Sequence, residues 1–345
     1  MSPQFDTTPE KEGSIGGFLY RQLTTTPQEV RGVSLAGKTA IVTGSNTGCG
    51  LEVARQFLDL GVSRLILAVR DEEKGKTAVD NLRQNRDAES STIEVWKLDL
   101  DDYASVVAFA DGCNTLERLD IAVLNAGLYL TQHETSPTTG HDRVIQVNYL
   151  STVLLLTLLL PVAATKRHNQ DAPTRITLTS SDVSAWTSFK ERNAVPLFPA
   201  LDSFDGADPL DRMMVSKLLG QFYLAELAKR VPASVATTNC ATPGMLHGSD
   251  FNRQMRGTIT GRLVGIWGRL IGYSAAVGAR NITEAAVRHG EESHGQYLST
   301  QKIKPMAPIL YTEEGKRISD QLWRETMTEF AFAGVEDIIT RLSTA

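Results

Sequence analysis

The stretch Thr39-Ala-Ile-Val-Thr-Gly-Ser-Asn-Thr-Gly-Cys-Gly-Leu51 decides the fold of this 345-residue chain. It begins with a short β-branched and apolar run, which is typical of a buried strand. Glycines follow at positions 44, 48 and 50, and residues 51–58 then have the pattern of an amphipathic helix. A glycine-rich turn between a strand and a helix lets backbone N–H groups at the helix N-terminus approach a pyrophosphate.

The chain on either side of this stretch repeats the alternation of strands and helices. Six further short apolar runs are separated by segments of helical length, which indicates βαβ units with right-handed crossovers and helices on both faces of the sheet. We therefore predict a doubly wound α/β domain with a parallel seven-stranded sheet. The six runs are Arg64–Val69, Thr92–Leu98, Asp120–Leu124, Arg175–Thr179, Val235–Asn239 and Gln296–Ser299.

The domain boundaries follow from where this alternation begins and ends. Residues 1–36 are polar and rich in turn residues, so we expect an N-terminal arm that packs on the domain or stays loose. We expect residues 37–305 to form the single nucleotide-binding domain. Residues 306–345 form a C-terminal extension, which is helical and amphipathic from Glu313 onward.

Composition excludes several classes of protein. The formal net charge of −5 argues against a nucleic-acid binder. The longest apolar run, Val153–Ala164, is shorter than an integral membrane span and suits a buried helix. Cys49, Cys113 and Cys240 are too widely spaced for a disulfide framework or a metal cluster, so no metal is expected. The N-terminus lacks the features of a secretory signal, and a cytoplasmic protein is expected.

The spacing Gly44-x-x-x-Gly48-x-Gly50 resembles that of the short-chain dehydrogenase/reductase family, whose members have the Rossmann fold. Further motifs of the family occur in order along residues 38–300. The segments Ser45–Leu51, Ser216–Leu219 and Glu292–Leu298 resemble the retinol-dehydrogenase-like branch of the family that is common in fungi. The other matching motifs are Asp99-Leu100, Asn125-Ala-Gly127, Val147-Asn-Tyr149, Ser180-Ser181 and Pro243-Gly244.

The resemblance implies a nicotinamide cofactor and assigns residues to it. Arg70, at the tip of the second strand, suits a ribose 2′-phosphate and favours NADP(H). The alternative is that Arg70 is a solvated surface charge and that Asp71 recognises a free ribose hydroxyl. The residues expected at the cofactor are Gly44, Asn46, Thr47, Gly48, Gly50, Leu51, Arg70, Asp99, Asn125 and Lys217.

The resemblance also implies a set of four catalytic residues, Asn, Ser, Tyr and Lys, of which the Tyr is absent from this sequence. Asn148, Ser181 and Lys217 match the family's catalytic Asn, Ser and Lys. The family's Tyr, four residues before the Lys, is replaced by Met213, which has no proton to donate. Loss of a positioned acid costs about 10²–10⁴ in rate. Tyr223, ten residues after Met213, points to another side of the helix.

Three functions remain open from the sequence. The first is an NADP(H)-dependent oxidoreductase in which Ser181, a water held by Lys217 or the substrate itself supplies the proton. The second is an isomerase, cyclase or lyase that retains the NADP(H) site without hydride transfer. The third is a cofactor-binding module without catalysis. We favour the first because most of the machinery is present.

The expected substrate is a bulky, apolar small molecule of polyketide or terpenoid type, in fungal secondary metabolism. The Phe-, Pro- and Leu-rich insertion Trp186–Asp211 and the segment Phe251–Ile271 could form a large apolar lid over it. Tyr129, Asp182 and His247 are weaker candidates for the pocket, and each is more simply a structural residue. Because members of the family are often dimers or tetramers, the resemblance implies a homo-oligomer whose interface is formed by the helices near residues 143–165 and 208–230.

Overall fold

The computed structural model describes residues 5–86, 91–247 and 268–344. Within these ranges the chain forms a sheet of eight strands in the order β3-β2-β1-β4-β5-β6-β7-β8. The doubly wound α/β fold is thereby confirmed. The strands are β1 (Thr39–Thr43), β2 (Arg64–Val69), β3 (Thr92–Lys97), β4 (Ile121–Leu124), β5 (Thr174–Thr179), β6 (Ala236–Ala241), β7 (Tyr297–Ser299) and β8 (Lys302–Lys304).

Within the described residues, the sheet has an eighth strand in addition to the seven that were predicted. Strands β1 to β7 pair in parallel, whereas β8 turns back and pairs antiparallel with β7 at the edge. The two residues of the connecting turn, Thr300 and Gln301, both have positive φ angles, of 50° and 62°. Such a turn usually contains Asn or Gly, so this hairpin gave no recognisable signal in the sequence.

Helices cover both faces of the sheet and extend beyond it at both ends of the chain. The described helices are α1 (Pro9–Gly13), α2 (Ile15–Thr24), α3 (Gly48–Asp59), α4 (Glu72–Arg83), α5 (Tyr103–Cys113), α6 (Arg143–Ile145), α7 (Ser151–Lys166), α8 (Leu197–Asp202), α9 (Pro209–Ala228), α10 (Ala275–Val287), α11 (Glu313–Glu329) and α12 (Val335–Leu342).

Alternating strand residues divide the core between the two faces of the sheet. Ile41 of β1 packs in a cluster with side chains of α5, α7 and α9. Its neighbours Ala40 and Val42 point the other way and pack with side chains of α3 and α10. The sheet is therefore buried on both faces, as parallel sheets require.

The helix that runs from Arg143 to Asn169 is long and apolar enough, by composition, to cross a membrane. However, 83% of its most apolar window is buried inside this protein. It includes α6, a π-helical turn at Gln146–Leu150 and α7. The prediction that Val153–Ala164 belongs to a buried core helix agrees with this position.

Both terminal extensions pack on the domain. In the C-terminal extension, the ring of Trp323 on α11 stacks on Tyr223 of α9, with 5.4 Å between ring centroids. Tyr149, in the π turn before α7, shares a hydrogen bond of 2.7 Å with Thr326 of α11. The C-terminal helices thus cover part of the helices on which we expected a homo-oligomer to form.

The insertion between β5 and α9 differs from the lid that we expected. Its side chains Phe189, Leu197, Phe198 and Leu201 are buried and belong to the main core. The apolar composition of Trp186–Asp211 is therefore largely explained by packing on the domain. Most of the second expected lid segment, residues 251–267 with Met255, Leu263, Ile266 and Trp267, lies outside the described residues.

Candidate functional site

The glycine-rich turn after β1 packs so closely on its neighbours that two of its glycine positions have no room for a side chain. Gly44 has a φ of +64°, and a Cβ there would lie 2.8 Å from the Cα of Ala126. A Cβ on Gly50 would lie 2.5 Å from both Asn125 Nδ2 and the Gly44 carbonyl oxygen. Gly48 also has a positive φ, of 59°. Each glycine is therefore required by the local backbone or by close packing.

This turn presents the N-terminus of α3 to any ligand at the edge of the sheet. The helix begins at Gly48, and the Leu51 N–H makes its first intrahelical bond, 3.3 Å to the Thr47 carbonyl. The N–H groups of residues 48–50 precede that bond and are available to an anion. Asn125 Nδ2 fixes the turn by donating to the Thr43 carbonyl at 3.1 Å. The residues present therefore fit a pyrophosphate.

The tips of β2 and β3 give the surroundings expected for the adenosine half of a cofactor. Arg70 is exposed and has no ion pair within the described ranges. Asp71 instead caps α4, accepting from Lys74 N–H at 3.2 Å, and pairs with Lys74 Nζ at 3.3 Å. Asp71 is thus engaged in helix capping, while Arg70 is free to meet a phosphate. Asp99 follows β3 and accepts from Asp101 N–H at 3.1 Å.

Asn148 lies in the π turn of the long helix, where an extra residue per turn redirects its side chain. Its Oδ1 accepts from the Leu128 N–H at 2.8 Å, and its Nδ2 donates to the Leu128 carbonyl at 2.9 Å. Nδ2 also donates to Ser216 Oγ at 3.0 Å. Asn148 therefore joins the loop after β4 to α9, the helix that carries Lys217.

Lys217 and Asn148 converge at the same glycine. A Cβ built on Gly127 would lie 3.2 Å from Asn148 Oδ1 and 3.5 Å from Lys217 Nζ. Lys217 Nζ donates to the Thr179 carbonyl at the end of β5, at 2.9 Å. Burial lowers the pKa of this ammonium to about 8. A small cavity beside it, of a size for a single water, is lined by Asn148, Thr179, Ser180, Ser216, Lys217 and Cys240.

The two serines after β5 have different surroundings. Ser180 lines that cavity, and its Oγ accepts from Gln221 Nε2 at 3.2 Å. Ser181 caps the 3-10 turn Asp182–Ala185 with a long hydrogen bond of 3.5 Å from Val183 N–H. The predicted catalytic Ser181 is partly exposed at the strand end.

Met213 occupies an apolar environment. Its side chain is 7% exposed and packs with Leu130 and Val144. Four partly buried side chains pack against this cluster: Leu128, Tyr129, Val183 and Met214. Tyr223, as predicted, lies elsewhere, with its hydroxyl 2.5 Å from Thr157 Oγ1.

The weaker candidates have structural contacts. Asp182 accepts from Arg21 and from Thr242, so its carboxylate is engaged in a buried ion pair. His247 donates its backbone N–H to the Tyr273 carbonyl at 2.9 Å. The ring of Tyr129 packs against the Met213 cluster, where burial raises the pKa of its phenol.

The sequence reasoning missed several residues that shape this site. Ser216 bonds Asn148, and Gln221 bonds both Ser180 and Ser184. Arg21 reaches the end of β5 from the N-terminal arm. Ser216 and Gln221 could have been found from their spacing to Lys217 on one helix. No local pattern links Arg21 to a residue 161 positions away.

Comparison with known proteins identifies the family of this chain. The family model described as short chain dehydrogenase matches residues 38–188. Short-chain dehydrogenase fogG of Aspergillus ruber is 46% identical over 352 residues, covering 99% of this chain and 100% of that protein. Short chain dehydrogenase/reductase mfmJ of Annulohypoxylon moriforme is 39% identical over 326 residues, covering 93% of each. The crystal structure of an uncharacterized protein from Mycobacterium Paratuberculosis superimposes with a TM-score of 0.61 at 23% identity, covering 88% of this chain and 97% of that one.

A doubly wound α/β domain with a glycine-rich turn before α3 and an Asn–Lys pair beside it defines the class as a nucleotide-binding enzyme fold. The chain belongs to the short-chain dehydrogenase family. The family uses NAD(P), and membership in it supports an oxidoreductase that acts on a small-molecule substrate. The crystal structure above, at 23% identity, supports the fold alone.

Proposed function

We propose that this protein is an NADP(H)-dependent oxidoreductase that acts on a carbonyl or hydroxyl group of a bulky, apolar metabolite. One observation supports the proposal above others. Asn148 and Lys217 converge at Gly127, and the preceding residue, Ala126, packs against Gly44 of the glycine-rich turn, which fits a pyrophosphate. This arrangement serves both cofactor binding and stabilisation of charge on a substrate oxygen.

The cofactor preference rests on the tip of β2. Arg70 offers a free guanidinium, which suits the doubly charged 2′-phosphate of NADP(H). Asp71 is held at the N-terminus of α4 by Lys74 and is not the free acid that a ribose 2′-hydroxyl prefers. We assign the pyrophosphate to residues 44–51, the adenine to Asp99 and the ribose to Lys217.

A bound nicotinamide supplies or accepts the hydride. The Lys217 ammonium stabilises negative charge that develops on the substrate oxygen, and Asn148 holds the loop after β4 against α9. Met213 cannot donate a proton. A water in the cavity between Asn148 and Lys217, or the hydroxyl of Ser181, therefore supplies it.

The substrate class follows from the wall around Met213. Leu128, Val183 and Met214 present apolar surface at the C-terminal edge of the sheet, where ligands bind in open α/β folds. Methionines adapt to irregular apolar shapes, which suits a large and rigid molecule. We infer a polyketide- or terpenoid-like substrate.

The biological setting is part of the proposal. Relatives named as short-chain dehydrogenases come from filamentous fungi, and together with the replaced Tyr and the retinol-dehydrogenase-like motifs they favour a role in fungal secondary metabolism. We place the protein in the cytoplasm and infer assembly into a homo-oligomer.

A second candidate is supported by the packing of Met213. Because this side chain is nearly buried among Leu130 and Val144, the position of the missing phenol is filled by hydrocarbon. An isomerase, cyclase or lyase that binds NADP(H) without hydride transfer would tolerate this replacement.

The two candidates are separated by assaying the wild-type protein and a Met213→Tyr variant with NADPH and a panel of bulky ketones and quinones. Binding is followed by NADPH fluorescence and turnover by NADPH absorbance. Oxidation of NADPH by the wild type supports the oxidoreductase. Tight binding without oxidation, together with activity gained in Met213→Tyr, supports the non-redox candidate.

A further inference from the structure

Two consecutive polar residues of α2, Arg21 and Gln22, are largely buried against the C-terminal edge of the sheet. Side-chain exposure is 12% for Arg21, and Gln22 is 6% exposed. Both side chains make hydrogen bonds to loops that follow strands of the sheet, rather than to the arm alone. Long polar side chains are seldom buried without such partners.

Arg21 forms a buried ion pair with the residue that follows Ser181. Its Nη2 lies 2.9 Å from Asp182 Oδ1, and its Nη1 lies 3.1 Å from Glu12 Oε2. The carboxylates of Glu12 and Asp182 are 6% and 8% exposed. Removal of Arg21 would leave two buried carboxylates without the cation that pairs with both.

Asp182 also connects the end of β5 to the loop after β6. Thr242 Oγ1 donates to Asp182 Oδ2 at 2.7 Å, and the same Thr242 oxygen accepts from the Gly244 N–H at 3.1 Å. One carboxylate thus connects the turn that carries Ser181 to the Pro243-Gly244 backbone.

Gln22 holds the same loop from its other side. Its Oε1 accepts from the Met245 N–H at 3.0 Å, and its Nε2 donates to the Ile271 carbonyl at 2.9 Å and to the Met245 carbonyl at 3.3 Å. A Cβ on Gly244 would lie 2.9 Å from Gln22 Oε1. The amide therefore bonds both backbone groups of Met245, beside the parallel bridge that Leu246 makes with Tyr273.

Further contacts fix the arm in this position. Trp186, in the turn after Ser181, donates its Nε1 to the Gly13 carbonyl at 2.8 Å. Its ring meets Phe18 of α2 edge to face, with 5.1 Å between centroids. The Tyr273 hydroxyl donates to the Thr25 carbonyl at the end of α2. The arm therefore contacts three separate segments around the site.

We propose that the N-terminal arm is a positioning element of the active site, in which Arg21 and Gln22 hold the turn after β5 and the loop after β6. The inference rests on the proposed function in one respect: it takes these two segments as the ones that face the substrate and the nicotinamide. Rigid support of this kind matters because small displacements of reacting groups cost large factors in rate.

The test compares Arg21→Gln and Gln22→Ala with a matched control, Arg31→Gln. Arg31 lies in the same N-terminal segment, but its side chain is 83% exposed and pairs with Glu29 on the surface. Two probes are titrated: NADPH, and 2′,5′-ADP, which contains only the adenosine half. Arg21 and Gln22 contact the segments after β5 and β6, whereas β2 and β3 lie beyond β1 and β4 in the sheet order. Binding of 2′,5′-ADP therefore reports on the adenosine half of the cofactor site, without the two segments that the arm holds.

We expect NADPH affinity to fall about tenfold in Arg21→Gln, because the segments that face the nicotinamide are no longer held in place, while 2′,5′-ADP affinity stays unchanged. Gln22→Ala shifts in the same direction, and Arg31→Gln matches the wild type for both probes. Equal loss of both probes indicates general unfolding and overturns the proposal for that variant. Unchanged NADPH affinity in both variants also overturns it.

Hydrogen exchange of the peptide covering residues 242–247 gives a readout that needs no cofactor. Faster exchange in Gln22→Ala than in Arg31→Gln is expected, because the Met245 N–H loses its acceptor. Unchanged exchange contradicts the inference. If the wild type binds neither probe, the proposed cofactor use fails, while this measurement still decides whether the arm holds the loop.

Discussion

Replacing Gly50 by alanine tests whether the glycine-rich turn allows the backbone to approach the cofactor pyrophosphate closely. A Cβ at this position would lie 2.5 Å from Asn125 Nδ2 and 2.5 Å from the Gly44 carbonyl oxygen. Both separations are 0.9 Å shorter than the 3.4 Å at which ordinary contacts begin. Because one of the two atoms belongs to the backbone, rotation of a side chain cannot relieve both contacts.

The energetic cost has two parts. Overpacking of this kind destabilises a fold by about 1–3 kcal/mol. Displacement of Asn125 also weakens its bond to the Thr43 carbonyl, for about 1 kcal/mol more. We therefore expect Gly50→Ala to lower the free energy of unfolding by about 2–4 kcal/mol. The same displacement moves the N–H groups of α3, and NADPH affinity is expected to fall about 100-fold.

The assay is urea unfolding together with fluorescence titration of NADPH. Gly112→Ala in α5 is the matched control, since its Cβ would make only an ordinary contact, 3.5 Å from the Trp96 ring of β3. That variant should be more stable than the wild type by about 0.5–1 kcal/mol and bind NADPH normally. Near-normal NADPH binding by Gly50→Ala would refute the assignment of this turn to the cofactor.

Three further predictions concern charge. Arg70→Asp should weaken NADPH binding by about 10- to 100-fold and NADH binding far less, as measured by paired titrations. Burial lowers the pKa of Lys217 to about 8, so the turnover rate at saturating NADPH should fall as pH rises above 8, and a flat profile to pH 10 would contradict a role for the ammonium. Burial alone would lower the pKa of His141, but hydrogen bonds to Asp202 and Glu329 outweigh it and raise the pKa from 6.5 to about 9. Its stabilising contribution is present below pH 6.5 and lost as pH rises through 9, so His141→Gln should cost stability in urea unfolding at pH 6 and little at pH 10.

Most of the fold could be predicted because its signals are local. Each strand of the parallel sheet is a short apolar run, and each glycine of the first turn has a backbone or packing reason to be glycine. The β7–β8 hairpin was missed because Thr300 and Gln301 adopt positive φ angles without the usual turn residues. The short strand β8, which pairs antiparallel with β7 at the edge of the sheet, therefore has no recognisable pattern in the local sequence.

The site was predictable where family motifs and helix spacing define it. Asn148 and Lys217 do converge, and Tyr223 does point elsewhere. The apolar insertion was interpreted as a lid because burial in the core beside α11 and exposure to a substrate select the same residue types. Arg21 could not be predicted, since its partner Asp182 is brought near only by the docking of the arm.

The most direct test of the central claim follows the hydride itself. Wild-type protein is incubated with NADPH in which both hydrogens at carbon 4 of the nicotinamide are deuterium and with a panel of bulky ketones and quinones, and products are analysed by mass spectrometry. Our account predicts product that carries one deuterium on the former carbonyl carbon or its conjugated position. Tight NADPH binding with no label in any product, including products formed from a fungal extract, would contradict hydride transfer by this protein.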